Sequence, residues 1–201
     1  MEIQTIQSAM AGVKRIDAFL AQSERAIPTE RDGAVSRGDV ALSHVTFGYG
    51  ERTVLSDLSF TVRAGEQVTL VGRTGAGKST VFRLLLGLYR PERGTVTIGG
   101  VDAASIPDSE RRRCIGCVEQ HFSRVPGTVL DQITLGDACI SREMAERAAQ
   151  LAGLDAVIRA FSSGYDTPCS DGLFSQGEWQ LLSIARAAAA DPAVLLLDEI
   201  T

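Results

Sequence analysis

Lysine is almost absent from this chain of 201 residues, in which only Lys14 and Lys78 accompany eighteen arginines. Acidic residues number 25, so the formal net charge is -5. A chain with this balance lacks the positive field that gathers a polyanion. We therefore expect no nucleic-acid partner, and we interpret the basic run Arg111–Arg113 as a solvated surface segment.

Long apolar runs and cysteine clusters are also missing. No stretch approaches eighteen uninterrupted apolar residues, so we expect no membrane-spanning helix within this sequence. Of four cysteines only Cys114 and Cys117 form a close pair, whereas a zinc site needs further cysteine or histidine ligands at close spacing. The segment Cys114–Val118 alternates like a strand, which predicts the two sulfurs on different faces. These two cysteines are therefore expected to be reduced, packed thiols.

One of the two lysines stands in the motif Gly72-Arg73-Thr74-Gly75-Ala76-Gly77-Lys78-Ser79-Thr80. At these residue frequencies such a spacing arises by chance on the order of 0.003 times in a chain of this length. The motif follows the apolar run Val68–Val71, a predicted strand, and opens a predicted helix, Lys78–Tyr89. Backbone N–H groups in a loop of this kind point at phosphate oxygens, and the helix N-terminus adds positive potential. We therefore expect residues 72–80 to bind a nucleotide.

Two side chains of this loop have distinct expected roles. Lys78 would bridge the β- and γ-phosphates, and the Ser79 hydroxyl would bind Mg²⁺. The expected nucleotide contacts are Gly72, Arg73, Thr74, Gly75, Ala76, Gly77, Lys78, Ser79 and Thr80.

Apolar patterns elsewhere predict strands that alternate with helices. Ala193–Leu197 is an unbroken apolar run, which favours a strand covered on both faces. This order predicts an α/β fold with a mainly parallel sheet and a ligand at the carboxyl ends of the strands. Residues 120–137 are expected to be loop with short apolar pieces. Further predicted strands are Val40–Phe47, Val54–Val62, Thr95–Ile98 and Cys114–Val118, and further predicted helices are residues 141–151, Asp155–Phe161 and Ser175–Ala190.

An acidic pair, Asp198 and Glu199, ends the last apolar run. Two adjacent carboxylates at the end of a buried strand are costly unless cations lie beside them. A phosphate-binding loop needs one carboxylate in the magnesium shell and another that orients or deprotonates water. We assign the first role to Asp198 and the second to Glu199.

The segment Phe174-Ser175-Gln176-Gly177-Glu178, before a long predicted helix, resembles the signature of ABC ATPases. The resemblance extends over Val40–Thr201. It implies that Tyr49 stacks on adenine, that Gln120 contacts Mg²⁺ and the attacking water, and that Glu199 is the catalytic glutamate beside a Walker B segment. The residues that would contact ATP held by a second such domain are Ser175, Gln176 and Gly177.

The resemblance also implies an architecture and partners. The expected fold is that of a P-loop NTPase, with a RecA-like mainly parallel sheet, an antiparallel β part and a helical subdomain over about residues 121–174. The amphipathic stretch Met1–Leu20, within residues 1–27, resembles the extension that joins an exporter-type membrane domain to its ATPase, and residues 28–39 would be a linker. A transmembrane domain and a second ABC ATPase domain, identical or not, are the implied partners, at the cytoplasmic face of the cell membrane.

Some features depart from the family pattern. Phe174 replaces a leucine, and Glu178 replaces a glutamine and adds negative charge. The sequence ends at Thr201, before the D-loop and switch histidine of the family, so we expect a C-terminally incomplete fold, weak Mg-ATP binding and poor hydrolysis. The alternatives are a soluble ABC ATPase acting on nucleic-acid complexes and a hydrolysis-deficient fragment. The resemblance also implies that the transported substrate is selected by the membrane domain.

Overall fold

The computed structural model describes residues 38–118 and 122–198. The expected helix at Met1–Leu20 lies outside the described residues, as do Gln120 and Glu199. Within the described ranges, no helix has both the length and the apolar character needed to cross a bilayer.

An antiparallel sheet forms the first part of the fold and confirms three of the predicted strands. Hydrophobic side chains on its inner face, including Leu42, Val45 and Ile98, are fully buried. The strand order is β2-β1-β3-β4, and all three pairings are antiparallel. The strands are β1 (Val40–Tyr49), β2 (Arg52–Val62), β3 (Arg93–Ile98) and β4 (Val101–Asp102).

A helix and a parallel strand pair complete this core. Helix α1 (Lys78–Leu85) begins at the predicted residue, ends four residues early, and buries Leu84 against the sheet. Helix α2 (Asp108–Cys114) leads into β5 (Ile115–Val118), which pairs in parallel with β6 (Val194–Leu197). Because Cys114 ends α2, the two close cysteines do not share one strand as predicted.

Two strand predictions need correction. Val68–Val71 has no strand structure, and Val68 and Val71 are 55% and 91% exposed. A four-residue strand persists only when neighbours supply its hydrogen bonds, and no described strand pairs with this segment. The run Ala193–Leu197 is not covered on both faces either, since Leu195 and Leu197 are 41% and 48% exposed while Leu196 is buried.

A second hydrophobic core belongs to a group of helices, with Ile133, Leu154 and Leu182 fully buried. This group includes the segment that we predicted as loop. Its helices are α3 (Val129–Thr134), α4 (Arg142–Leu151), α5 (Asp155–Arg159) and α6 (Gln176–Ala188).

Helix α3 corrects the loop predicted over residues 120–137. Thr128 and Asp131 form a reciprocal cap, in which the Asp131 carboxylate accepts from the Thr128 N–H at 2.7 Å and the Thr128 hydroxyl accepts from the Asp131 N–H. Hydrogen bonds from Thr128, the backbone N–H first, lower the pKa of Asp131. This spacing is the sequence signal that identifies the start of α3. Ser141 caps α4, where the helix predicted over residues 141–151 begins.

Two of the three arginines in the basic run are not solvated as its charge suggested, whereas Arg113 is exposed. Arg111 donates to the carbonyl oxygens of Leu86 and Ile106, at 2.5 and 2.7 Å. Arg112 donates to the carbonyl of Thr134 at 2.6 Å. Both arginines lie in the last turn of α2, and their side chains extend to backbone carbonyls at the ends of neighbouring elements. They tie α2 to residues beyond α1 and to the end of α3.

Candidate nucleotide site

The predicted phosphate-binding loop is a tight turn that runs into α1. Gly75 and Gly77 have φ angles of 84° and 90°, in the left-handed region. The Ala76 N–H donates to the Arg73 carbonyl at 3.0 Å, which closes the turn. Gly72–Ala76 are exposed, and no side-chain hydrogen bond caps the first turn of α1. The first N–H groups of this helix are therefore available to an anion.

Lys78, the first residue of α1, folds its ammonium back over the loop. Its Nζ donates to the carbonyl of Gly72 at 2.7 Å and to that of Arg73 at 3.2 Å. Ser79 beside it is exposed. The structure therefore brings the lysine, the loop carbonyls and the open end of α1 together.

Gly77 has a packing requirement in addition to its backbone angle. An added Cβ would lie 2.7 Å from Leu55 Cδ2 and 3.2 Å from Val54 Cγ1, both on β2. Glycine therefore allows the loop to approach the antiparallel sheet closely.

Tyr49, at the end of β1, lies against α1. Its hydroxyl accepts a hydrogen bond from Arg83 Nη1 at 3.1 Å. A hydrogen bond with the Thr80 hydroxyl is the main cause that lowers the pKa of Tyr49, and Arg83 adds to the shift. The structure therefore places this tyrosine beside the helix that the phosphate loop begins, and its contact with adenine stays a prediction.

The signature segment begins helix α6 with a reciprocal cap. The Glu178 carboxylate accepts from the backbone N–H of Ser175 at 2.7 Å and from its hydroxyl at 2.8 Å. The Ser175 hydroxyl accepts from the Glu178 N–H at 3.3 Å. These hydrogen bonds, the backbone one first, lower the pKa of Glu178, so the carboxylate is ionised near neutral pH.

The other signature residues are open to solvent. Gln176 and Gly177 are exposed, and a Cβ added to Gly177 would meet no atom within 4 Å. The packing of this chain therefore gives no reason for a glycine at position 177.

An aromatic cluster joins the signature helix to the residues that follow Gln120. Trp179, the single tryptophan of the chain, packs against Phe122 and Phe174, each with ring centroids 5.1 Å away. The Arg124 guanidinium lies 5.8 Å from the Trp179 ring centroid and pairs with Asp171.

Arg186 makes a second connection between these elements. From α6 it donates to the carbonyls of Gln132 and Ser123, at 2.6 and 2.8 Å, and it lies 3.9 Å over the Phe122 ring. Sequence reasoning missed Arg186 and Trp179, because their partners are distant along the chain and form no local pattern.

Asp198 follows β6 and continues its pairing with β5. Its backbone N–H donates to the Val118 carbonyl at 3.1 Å. In the described part of the chain, no hydrogen bond or ion pair joins Asp198 to Lys78 or Ser79. No group of three or more His, Cys, Asp or Glu residues that could hold a metal occurs there either. A magnesium site formed by Ser79, Gln120 and Asp198 therefore stays a prediction.

One known family model matches the part of the chain that contains the loop, the signature segment and the end of β6. Residues 55–201 match the model described as ABC transporter. The chain belongs to the ABC transporter family. Its fold is accordingly the ABC ATPase type of P-loop fold, in which the described residues supply the antiparallel sheet, the helices and one parallel strand pair.

Relatives and a solved structure agree with this assignment. The ABC transporter ATP-binding protein YfiC of Bacillus subtilis is 37% identical over 207 residues, which cover 100% of this chain and 34% of that protein. The mycobactin import ATP-binding/permease protein IrtB of Mycolicibacterium smegmatis is 39% identical over 159 residues, 78% of this chain and 28% of that protein. The structure of a bacterial Atm1-family ABC exporter with ATP bound has a TM-score of 0.79 at 32% identity, and the match covers 98% of this chain and 36% of that one. This chain thus spans about a third of the length of such proteins.

Proposed function

We propose that this chain is the ATP-binding part of an ABC transporter, and that it binds and hydrolyses Mg-ATP to drive transport across a membrane. The observation that carries the proposal is the loop of residues 72–80, with an uncapped helix end and the Lys78 ammonium held over its carbonyls. A triphosphate would replace these carbonyls as the partner of Lys78, and the ion pair would be stronger than the neutral hydrogen bonds it replaces.

The magnesium ligands follow from the chemistry of the side chains. Ser79, Gln120 and Asp198 offer hydroxyl, amide and carboxylate oxygens, the donors that Mg²⁺ prefers. The bound metal would neutralise charge on the β- and γ-phosphates. Glu199 would orient or deprotonate the attacking water, with Gln120 beside it, and the Tyr49 ring would pack on adenine.

The signature residues would act on ATP held by a second ABC domain. The exposed Ser175 at a helix start, and the open space around Gly177, support such an approach from outside the chain. The permease named in the relative IrtB supports a transmembrane domain, fused or separate, as the further partner. This assembly would place the chain at the cytoplasmic face of the membrane.

Replacement of Lys78 by alanine tests the proposal. In the 201-residue chain, we expect Lys78→Ala to weaken binding of a fluorescent ATP analogue with Mg²⁺ on the order of tenfold or more, since a charge-assisted contact to phosphate is lost. Lys14→Ala, at the only other lysine, is the matched control and should bind like the unaltered chain. Equal binding by both variants would contradict the proposal.

A further inference from the structure

Two side chains on one face of α1 converge on the hydroxyl of Tyr49. Thr80 and Arg83 are three residues apart and therefore neighbours on the helix surface. Arg83 Nη1 donates to the Tyr49 hydroxyl at 3.1 Å, and the buried Thr80 hydroxyl shares a hydrogen bond with it. The tip of the tyrosine is thus attached to the helix that begins with Lys78.

The ring of Tyr49 is also held by other aromatic rings. Its centroid lies 5.0 Å from that of Phe47 and 5.4 Å from that of Tyr89, with interplanar angles of 87° and 88°. Such edge-to-face contacts fix a ring orientation. Tyr49 nevertheless keeps 38% of its surface exposed, which leaves area for another planar group.

We propose that Arg83 is a positioning residue for the nucleotide base: its hydrogen bond to Tyr49 holds the ring so that it presents a fixed surface to the base. The inference rests on the proposed function, because it assumes that the phosphates lie in residues 72–80. A ring already held in its binding orientation loses less conformational entropy on binding than a free one.

Arg83 is placed to act on the base and not on the phosphates. It lies five residues after Lys78, which is about 7.5 Å farther along the helix axis. Its side chain is exposed, so the high dielectric of the solvent weakens the interaction of its charge with the phosphate loop. Loss of the Arg83 hydrogen bond should therefore weaken binding of a nucleotide but not of a bare triphosphate.

The experiment compares Mg-ATP with inorganic tripolyphosphate plus Mg²⁺, by calorimetry on the 201-residue chain. We expect Arg83→Met and Tyr49→Phe each to weaken ATP binding roughly three- to tenfold, with triphosphate binding unchanged. The double variant should be no weaker than the worse single variant, because both remove the same hydrogen bond. Arg63→Met, at another exposed arginine, controls for the lost charge.

The contrary results are distinct. Equal losses for ATP and triphosphate in Arg83→Met would mean that Arg83 acts through the phosphates or the fold, and unchanged ATP binding would also overturn the inference. Tyr49→Phe retains the ring and removes the hydrogen bonds of its hydroxyl with both Arg83 and Thr80, so it tests whether a held ring favours the base if Arg83→Met does not fold. Failure of the proposed function would give a different result. In that case Lys78→Ala would bind both Mg-ATP and tripolyphosphate as well as the unaltered chain does.

Discussion

Helices α1 and α6 both begin at segments expected to face phosphate, yet their first turns are built differently. Helix α1 is entered through Gly77 in the left-handed region, and no side chain caps it. Helix α6 is entered through Ser175, and Glu178 satisfies both the N–H and the hydroxyl of that serine. The first helix start is therefore open to an anion, whereas the second already holds a carboxylate of its own chain. An incoming phosphate at α6 meets that negative charge.

The glycines of the two helix starts differ in the same way. Gly77 is required by its φ of 90° and by the closeness of Leu55, so the chain itself explains it. Gly177 has open space around it and an ordinary helical position. The fold does not need this glycine, but glycine here would allow a ligand held by a partner to approach the backbone closely.

The largest effect is expected from alanine at Gly77, with alanine at Gly177 as the contrasting change. Gly77→Ala should lower the free energy of unfolding by about 1–2 kcal/mol because of the left-handed backbone, with a further loss from the contact with Leu55. Gly177→Ala should raise it by about 0.5–1 kcal/mol, since alanine favours a helix. Urea unfolding monitored by circular dichroism measures both. Equal changes in the two variants would remove the contrast between the helix starts.

A smaller effect is expected from loss of the α6 cap. Ser175→Ala should lower the free energy of unfolding by about 1 kcal/mol, because the Glu178 N–H loses its acceptor and the carboxylate loses a donor. Ser175→Thr keeps the hydroxyl and serves as the control, with a smaller loss. The same urea titration applies, and an unchanged midpoint for Ser175→Ala would show that the cap does not stabilise α6.

The smallest effect is a pH dependence that belongs to Glu178. The pKa of this group is lowered in the folded chain by its hydrogen bonds with Ser175, so its contribution to stability is present above its unfolded pKa and is lost as pH falls through the folded value. Glu178→Gln cannot titrate and should show a flatter decline in melting temperature between pH 6 and pH 3. Parallel declines in the two proteins would mean that the capping carboxylate does not contribute.

The Glu178→Gln variant also tests the difference between the starts of α1 and α6. With its charge removed, the start of α6 should repel phosphate less, so Mg-ATP should promote self-association of Glu178→Gln at lower nucleotide concentration than in the unaltered chain. Analytical ultracentrifugation measures this. If Glu178→Gln needed more Mg-ATP than the unaltered chain to self-associate, the Glu178 carboxylate would favour the association instead of opposing it.

Local patterns were sufficient for much of the fold. The glycines and Lys78 of the loop predicted its turn and the start of α1, and Ser141 and Ser175 marked the starts of α4 and α6. The alternating and unbroken apolar runs predicted strands β1, β2, β3 and β6. These features depend on residues within one turn or one strand, so they can be predicted from short segments of the sequence.

Other features required contacts between distant residues. Val68–Val71 has the composition of a strand, but strand structure depends on a partner, and none of the described strands supplies one. The sequence predicted that Arg112 is solvated, but in the fold its guanidinium donates to the Thr134 carbonyl. Trp179 became a link to the segment after Gln120 only through packing on Phe122.

By itself the sequence determined the glycine-rich turn before α1, the family and most helix starts, because backbone propensity, capping and the spacing of glycine and lysine act over a few residues. Only the tertiary structure decided which arginines bind carbonyls and that Arg83 donates to the Tyr49 hydroxyl. Those outcomes depend on the positions of side chains far apart in sequence, which packing alone brings within hydrogen-bonding distance.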